Sequence, residues 1–180
     1  MAAQALLLCA AAAASSSPAA AATPTRCAHA AATPAHLSST AAARTLRCLI
    51  DGVRRKHGLR PVRSNARLAL AARRHARDMV AHDFFAHVSP GGATVETRVK
   101  RAGYLGGVRE WWLGEALAWG QAGAGAPRAI LRGLLDSPPH RAILLDPAFR
   151  DVGVGVAKGA PRGGGHGALT VTLDFGRTRR

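Results

Sequence analysis

The sequence predicts an α+β fold, a mostly antiparallel sheet covered by helices. Three observations predict it. Helical periodicity dominates from Leu46 to Ala102 and again from Pro127 to Leu145. Strand alternation concentrates at the end, in Val152–Ala157 and Ala168–Phe175, with Trp111–Trp119 between the two helical blocks. No internal repeat is present. Helices, one strand, more helices and a late strand pair do not follow the βαβ rhythm of a parallel sheet.

In chain order, Leu46, Leu49, Ile50 and Val53 recur at i, i+3, i+4 and i+7, one face of a helix that His57-Gly58 ends. Leu59–Pro61 forms a short crossing. Ser64 or Asn65 caps a second helix that carries Leu68, Ala72, Ala76 and Met79 on one face. Residues 83–92, DFFAHVSPGG, form a loop with bulky apolar anchors. Thr94 caps a third helix, which Gly103 ends. Pro127 opens a fourth, with Ile130, Leu131, Leu134 and Leu135. Ser137 caps a short fifth whose first position is Pro138, and Asp146-Pro147 stops it. In the last strand Leu169, Val171, Leu173 and Phe175 face one way, and Thr170, Thr172 and Asp174 the other. The Gly-rich stretch GAPRGGGHG (159–167) reads as a hairpin connection.

The chain has 180 residues, room for one domain with its own core. Residues 1–22 carry an apolar run, Ala5–Ala14, followed by small residues, as in a secretory signal peptide. That run is too short to span a bilayer as a helix, so no transmembrane segment is expected in the mature chain. Residues 23–43 are rich in Ala, Thr, Ser and Pro and read as an exposed arm before a domain at 44–180. In an exported chain the two remaining cysteines, Cys27 and Cys48, most simply form a disulfide that tethers this arm. Two free thiols in a cytosolic protein is the alternative.

The net charge is +15. Such a chain favours anionic partners: an anionic lipid surface, cell-wall polymers or nucleic acid. Its basic residues are scattered, only three are lysine, and no nucleic-acid recognition motif is present, so a specific nucleic-acid site is not expected.

Glu115 lies on one strand face with Trp111, Leu113, Leu117 and Trp119. A carboxylate there needs partners. Of the eight histidines, His87 and His140 lie in proline-punctuated turns beside apolar segments, FFAHVSP and SPPHRAILL, and His75 reads as a core histidine. Two imidazoles and a carboxylate are donors for a divalent metal such as zinc, or a general acid–base set. Three residues satisfied separately is the plainer alternative. Ser89 and Ser137 stand near these histidines but have turn and cap roles. No phosphate-binding loop is present.

Several ordered motifs resemble the CAP superfamily of SCP-like extracellular domains, in its bacterial branch. They are HGLRPV (57–62), AARRHARDM (71–79), FFAHVSPGG (84–92), RVKRAGY (98–104), GEALAWG (114–120), SPPHRAILLDPAFRDVGVGVA (137–157) and LDFG (173–176). The resemblance implies an α-β-α sandwich and a central cleft lined by His87, Glu115 and His140, which in relatives can bind a divalent metal. The second acid of many eukaryotic members has no evident counterpart. Where relatives usually carry two asparagines and a tryptophan, this chain has Ala116, Ile143 and Leu134. The expected function is a secreted or cell-surface binding module for a lipid, a cell-wall component or a partner protein. A metal-dependent hydrolase using His87, Glu115 and His140 is the alternative, with Glu115 as candidate catalytic base. A basic nucleic-acid binder ranks third.

Overall fold

The structure, a computed structural model, describes residues 27–163 and 165–180. The signal-peptide expectation and the start of the arm lie outside them. Five α-helices and four strands follow one another along the described chain: α1 (Ser39–Lys56), β1 (Arg63–Ser64), α2 (Ala66–Ala81), α3 (Val95–Arg101), β2 (Glu110–Gln121), α4 (Pro127–Asp136), α5 (Pro138–Leu145), β3 (Asp151–Lys158) and β4 (Ala168–Arg179). The sheet order is β1-β3-β4-β2. β3 and β2 both pair antiparallel with β4, and only the two-residue β1 runs parallel to its neighbour.

The local signals act as chemistry requires. Asn65 Oδ1 accepts the backbone N–H groups of Arg67 and Leu68, and Thr94 Oγ1 accepts that of Thr97. Gly103, at φ +82°, ends α3 in a paired cap: its own N–H donates to Lys100 O, and that of Tyr104 to Val99 O. Ser137 takes the cap position of α5, but its hydroxyl makes no capping bond. Pro138 instead starts that helix by fixing the backbone where no N–H is needed.

The sheet separates two helical layers. The larger apolar core joins α1, α4 and α5 to Ala116, Val152, Val156, Leu169, Val171, Leu173 and Phe175. On the other face α2 and α3 pack Leu68, Ala71 and Val99 against Tyr104 and Leu113. Helix α2 lies directly on β3. A methyl at Gly155 would stand 2.1 Å from the Ala72 carbonyl carbon, and one at Gly153 equally close to that of Leu68. The Val-Gly alternation of β3 is thus a helix-docking surface on its glycine side.

One expectation is corrected. The described part of the arm is anchored to the domain and only partly exposed. Ala30 and Leu37 are buried, and Ala42 already belongs to α1. The helix begins at Ser39 because Ser38 Oγ accepts the Ala41 N–H. The segment before it is fixed by Thr45 Oγ1–H to Ala28 O and Arg128 N–H to Ala30 O, and by the Cys27–Cys48 disulfide.

Buried polar groups then position α5. The Arg54 guanidinium, on α1, donates to the carbonyls of Arg60, Leu144 and Asp146. Asp51 accepts the Val62 N–H. These bonds hold the 57–62 crossing and the end of α5 on one anchor, and with it the helix whose first turn carries His140.

Candidate functional site

Glu115 sits mid-strand on the α2 side of β2. Its side chain is 3% exposed and both oxygens are engaged. Arg98, in α3, donates from Nη2 to Oε2 at 2.6 Å, and His87 meets Oε1 through Nδ1 at 2.8 Å. A carboxylate only accepts, so the proton of a neutral His87 ring lies on Nδ1 and the lone pair on Nε2. The ring is 58% exposed. Glu115 therefore acts as the buried orienting group and His87 as the accessible one.

The loop that carries His87 is held at several points. His75 donates from Nε2 to Ala86 O at 3.0 Å, and its ring packs against Phe84. Ser89 Oγ–H donates to Asp78 Oδ2 at 2.9 Å, and Arg98 Nη1–H to Ala93 O at 2.7 Å. Arg98 thus ties both the loop and the carboxylate. Ser89 is committed to Asp78 and touches no imidazole, which leaves it no nucleophile's setting. His75 is only half the satisfied core histidine expected: Nδ1 has no partner among the described residues. Burial lowers its affinity for a proton.

Asp174 was missed. It faces Glu115 directly across the β2–β4 pair and is 0% exposed. Neither of its oxygens meets a donor. Burial first, and then the Glu115 charge, raises its pKa well above the ordinary value; Arg98 works against this and is outweighed. The surroundings therefore favour the protonated form of Asp174. The signal in the sequence was its place on the polar face of β4. That face is buried under α2, so a period of two identified the side and not its dryness.

His140 opens onto a different surface. It lines a groove of about 460 Å³ along the edge of β2 that faces away from β4, with Phe85, Leu117, Trp119, Ile130 and Leu134. Burial first, and then the His87 charge, lower its proton affinity. Glu115 and His87 are brought into contact. His140 approaches them without joining a shared donor set: among the described residues no group of three or more His, Cys, Asp or Glu side chains is placed to hold an ion. Both Glu115 oxygens are bonded, to His87 and Arg98, so Glu115 offers no free donor beside the two imidazoles.

All three departures from the family pattern concern the other side of the sheet, where Leu134 is buried in the core layer. Ala116 is buried in the core layer opposite Glu115, and Ile143 packs against that same layer. A methyl on Gly114 would stand 3.0 Å from Ile143 Cγ2. Ala116 and Ile143 complete an apolar contact between β2 and α5 and leave the Glu115–Arg98–His87 set untouched.

Comparison with known proteins places the chain. The family model "CAP: Cysteine-rich secretory protein family" matches residues 48–175. The protein YkwD of Bacillus subtilis (strain 168) is 30% identical over 107 residues, 59% of this chain and 39% of its own length. The chain therefore spans well under half of that relative. A crystal structure of an extracellular protein containing an SCP domain, from Bacillus anthracis str. Ames, superposes with a TM-score of 0.62 at 25% identity, over 79% of this chain and 41% of that one. An outer surface protein of Borrelia burgdorferi shares the fold, with a TM-score of 0.66 at 18% identity, over 79% of this chain and 97% of that one. Among the described residues, no helix is long and apolar enough to cross a membrane.

Proposed function

The chain belongs to the CAP, or cysteine-rich secretory protein, family, and we propose that it is an extracellular binding module for an amphiphilic ligand. The ligand's apolar part lies in the groove along the β2 edge, and its polar end meets His140 and, beyond it, His87. The observation that carries this reading is the groove itself. Its walls are Phe85, Leu117, Trp119, Ile130 and Leu134, and His140 supplies the titratable polar group. Small-molecule sites have this composition: apolar walls with few, placed polar atoms. Trp119 is 41% exposed for a residue that size, which a ligand would cover. A lipid-like molecule suits such walls better than a polar cell-wall polymer or a partner protein. Export is supported by the Cys27–Cys48 disulfide, a bond of oxidising compartments, and by matched relatives described as extracellular and outer-surface proteins.

Gly133 provides the test. It lines the groove from α4, and a methyl added there meets nothing within 4 Å. Gly133→Leu adds an apolar side chain to the groove from a position where its first carbon meets no neighbour. Wild-type protein is expected to bind a non-ionic amphiphile such as a monoacylglycerol saturably in isothermal titration, and Gly133→Leu is expected not to. Equal binding by both removes the groove from the account.

The metal-dependent hydrolase reading has less support. His87 Nε2 and His140 supply two imidazoles, but Glu115 is occupied by Arg98. If His87 and His140 do hold zinc, zinc raises the melting temperature of wild type and not of the His87→Ala/His140→Ala variant. An equal shift in both, or none, rules that site out.

A further inference from the structure

Two indoles outside the groove are exposed, Trp111 at 40% and Trp112 at 41%. Both stand at the start of β2, the last strand of the sheet, whose outer edge has no neighbouring strand. There the β2–β4 pair runs on past both helical layers: residues 115–117 are buried, whereas residues 109–112 are exposed. Strand alternation puts the two indoles on opposite faces. Trp111 shares its face with Leu113, which packs toward α3. Trp112 shares the face of Ala116 and lies across from Arg177. The guanidinium carbons of Arg177 and Arg179 lie 5.2 and 5.9 Å from the centre of its ring. Arg109 is exposed one residue before the strand. The one acid in these paired segments, Glu110, accepts from Arg179 at 3.1 Å, so the end of the sheet is both aromatic and cationic.

These features select a partner. A sugar polymer stacks on rings that share one face; here one ring lies on each face, and that of Trp112 already carries a guanidinium. A deformable partner that surrounds the edge meets both indoles at once. The head-group zone of a bilayer does so: it takes up the apolar ring and satisfies the indole N–H, while anionic head groups attract the arginines. We propose that this end of the β2–β4 pair docks the protein on the surface of an anionic phospholipid bilayer. Trp111 and Trp112 enter the head-group zone, and Arg109, Arg177 and Arg179 face the lipid phosphates. Trp119 lies seven residues beyond Trp112, about 23 Å along a strand, so this surface is separate from the groove and does not depend on it.

The test is co-sedimentation of the full chain with vesicles of phosphatidylcholine alone and of phosphatidylcholine mixed with phosphatidylglycerol. The wild type is expected to bind the mixed vesicles, to leave them at high salt, and to bind pure phosphatidylcholine far more weakly. Trp111→Thr/Trp112→Thr keeps strand-forming residues at exposed positions. Each indole has two-fifths of its surface left to bury, worth about fivefold in binding, so the pair is expected to weaken it about thirtyfold. Arg109→Gln/Arg177→Gln leaves the Arg179–Glu110 pair in place and is expected to cost about thirtyfold as well, about fivefold for each charge. Gly133→Leu is expected to bind vesicles as the wild type does, so the two sites fail separately. No binding to mixed vesicles, equal binding to both kinds, or binding undiminished in Trp111→Thr/Trp112→Thr overturns the proposal. Sedimentation equilibrium without vesicles supplies the remaining outcome: a dimer that Trp111→Thr/Trp112→Thr dissolves gives this edge to a second copy of the chain and overturns the membrane assignment.

Discussion

Replacing Arg98 with methionine keeps the aliphatic length of the side chain and removes its charge. Glu115 then stays buried with only His87 as partner. The magnitude follows from the geometry. At 2.6 Å and an effective dielectric constant of about 20, the lost attraction is about 6 kcal/mol. The full amount is not realised, because the surroundings relax around the remaining charge; breaking one side of a buried pair commonly costs about 3–5 kcal/mol. Loss of the Arg98 bond to Ala93 O adds to this by loosening the His87 loop. The assay is equilibrium urea unfolding at pH 7. Arg98→Met is expected to lose about 3–4 kcal/mol. Arg98→Met/Glu115→Gln is expected to lie closer to wild type than Arg98→Met alone. A loss below about 1 kcal/mol, the range of exposed pairs such as Arg179–Glu110, refutes the claim that this pair anchors the site.

Other predictions rest on separate features. His75 is depressed by burial, so the folded state resists its protonation. Its contribution is complete above the unfolded value near 6.5 and is lost as the pH falls through the window below it; His75→Gln should flatten the fall in melting temperature between pH 7 and 5. Asp174 has the opposite sign. Its raised pKa costs stability progressively as the pH climbs above the unfolded value of 3.8, so Asp174→Asn should raise the melting temperature at pH 7 and leave it unchanged near pH 3. Gly155→Ala pushes α2 off β3, and urea unfolding should show a loss in the overpacking range of about 1–3 kcal/mol or more. Gly133→Leu, an exposed glycine replaced within a helix, should gain about 0.5–1 kcal/mol by the same assay. Reducing Cys27–Cys48, separated by 21 residues, should cost about 3 kcal/mol, measured as the unfolding difference with and without reductant.

The elements that sequence made legible are those set by neighbours in the chain. Asn65, Thr94 and Gly103 act through backbone groups within a few residues, so their roles follow from local chemistry. The Trp111–Trp119 alternation placed Glu115 on the correct face for the same reason. Arg98 was not legible. It is one arginine in a strongly basic chain, and its partner lies 17 residues away on another element. Nothing in RVKRAGY distinguishes it from Arg101, which lies exposed in the same helix. Asp174 was hidden by a different cause. Alternation in β4 separated the polar side chains correctly, but their burial depends on how closely α2 approaches, and Gly153 and Gly155 on a neighbouring strand decide that. The arm misled because Ala-rich composition resembles a linker, whereas small side chains are what let Ala30 and Ala42 enter a packed core. The motif pattern brought His87, Glu115 and His140 to one region. Only the structure divides them into a bonded pair and a groove-lining neighbour.

The groove-binding claim is tested most directly at Trp119. In a Trp111→Phe/Trp112→Phe background Trp119 is the remaining tryptophan, and its fluorescence reports on the groove wall alone. Titration with a monoacylglycerol is predicted to shift that emission to the blue and to saturate, to the same extent with and without EDTA. Introducing Gly133→Leu is predicted to abolish the response. An emission that does not change on titration, that changes equally with Gly133→Leu present, or that changes only when a divalent metal is supplied contradicts the account.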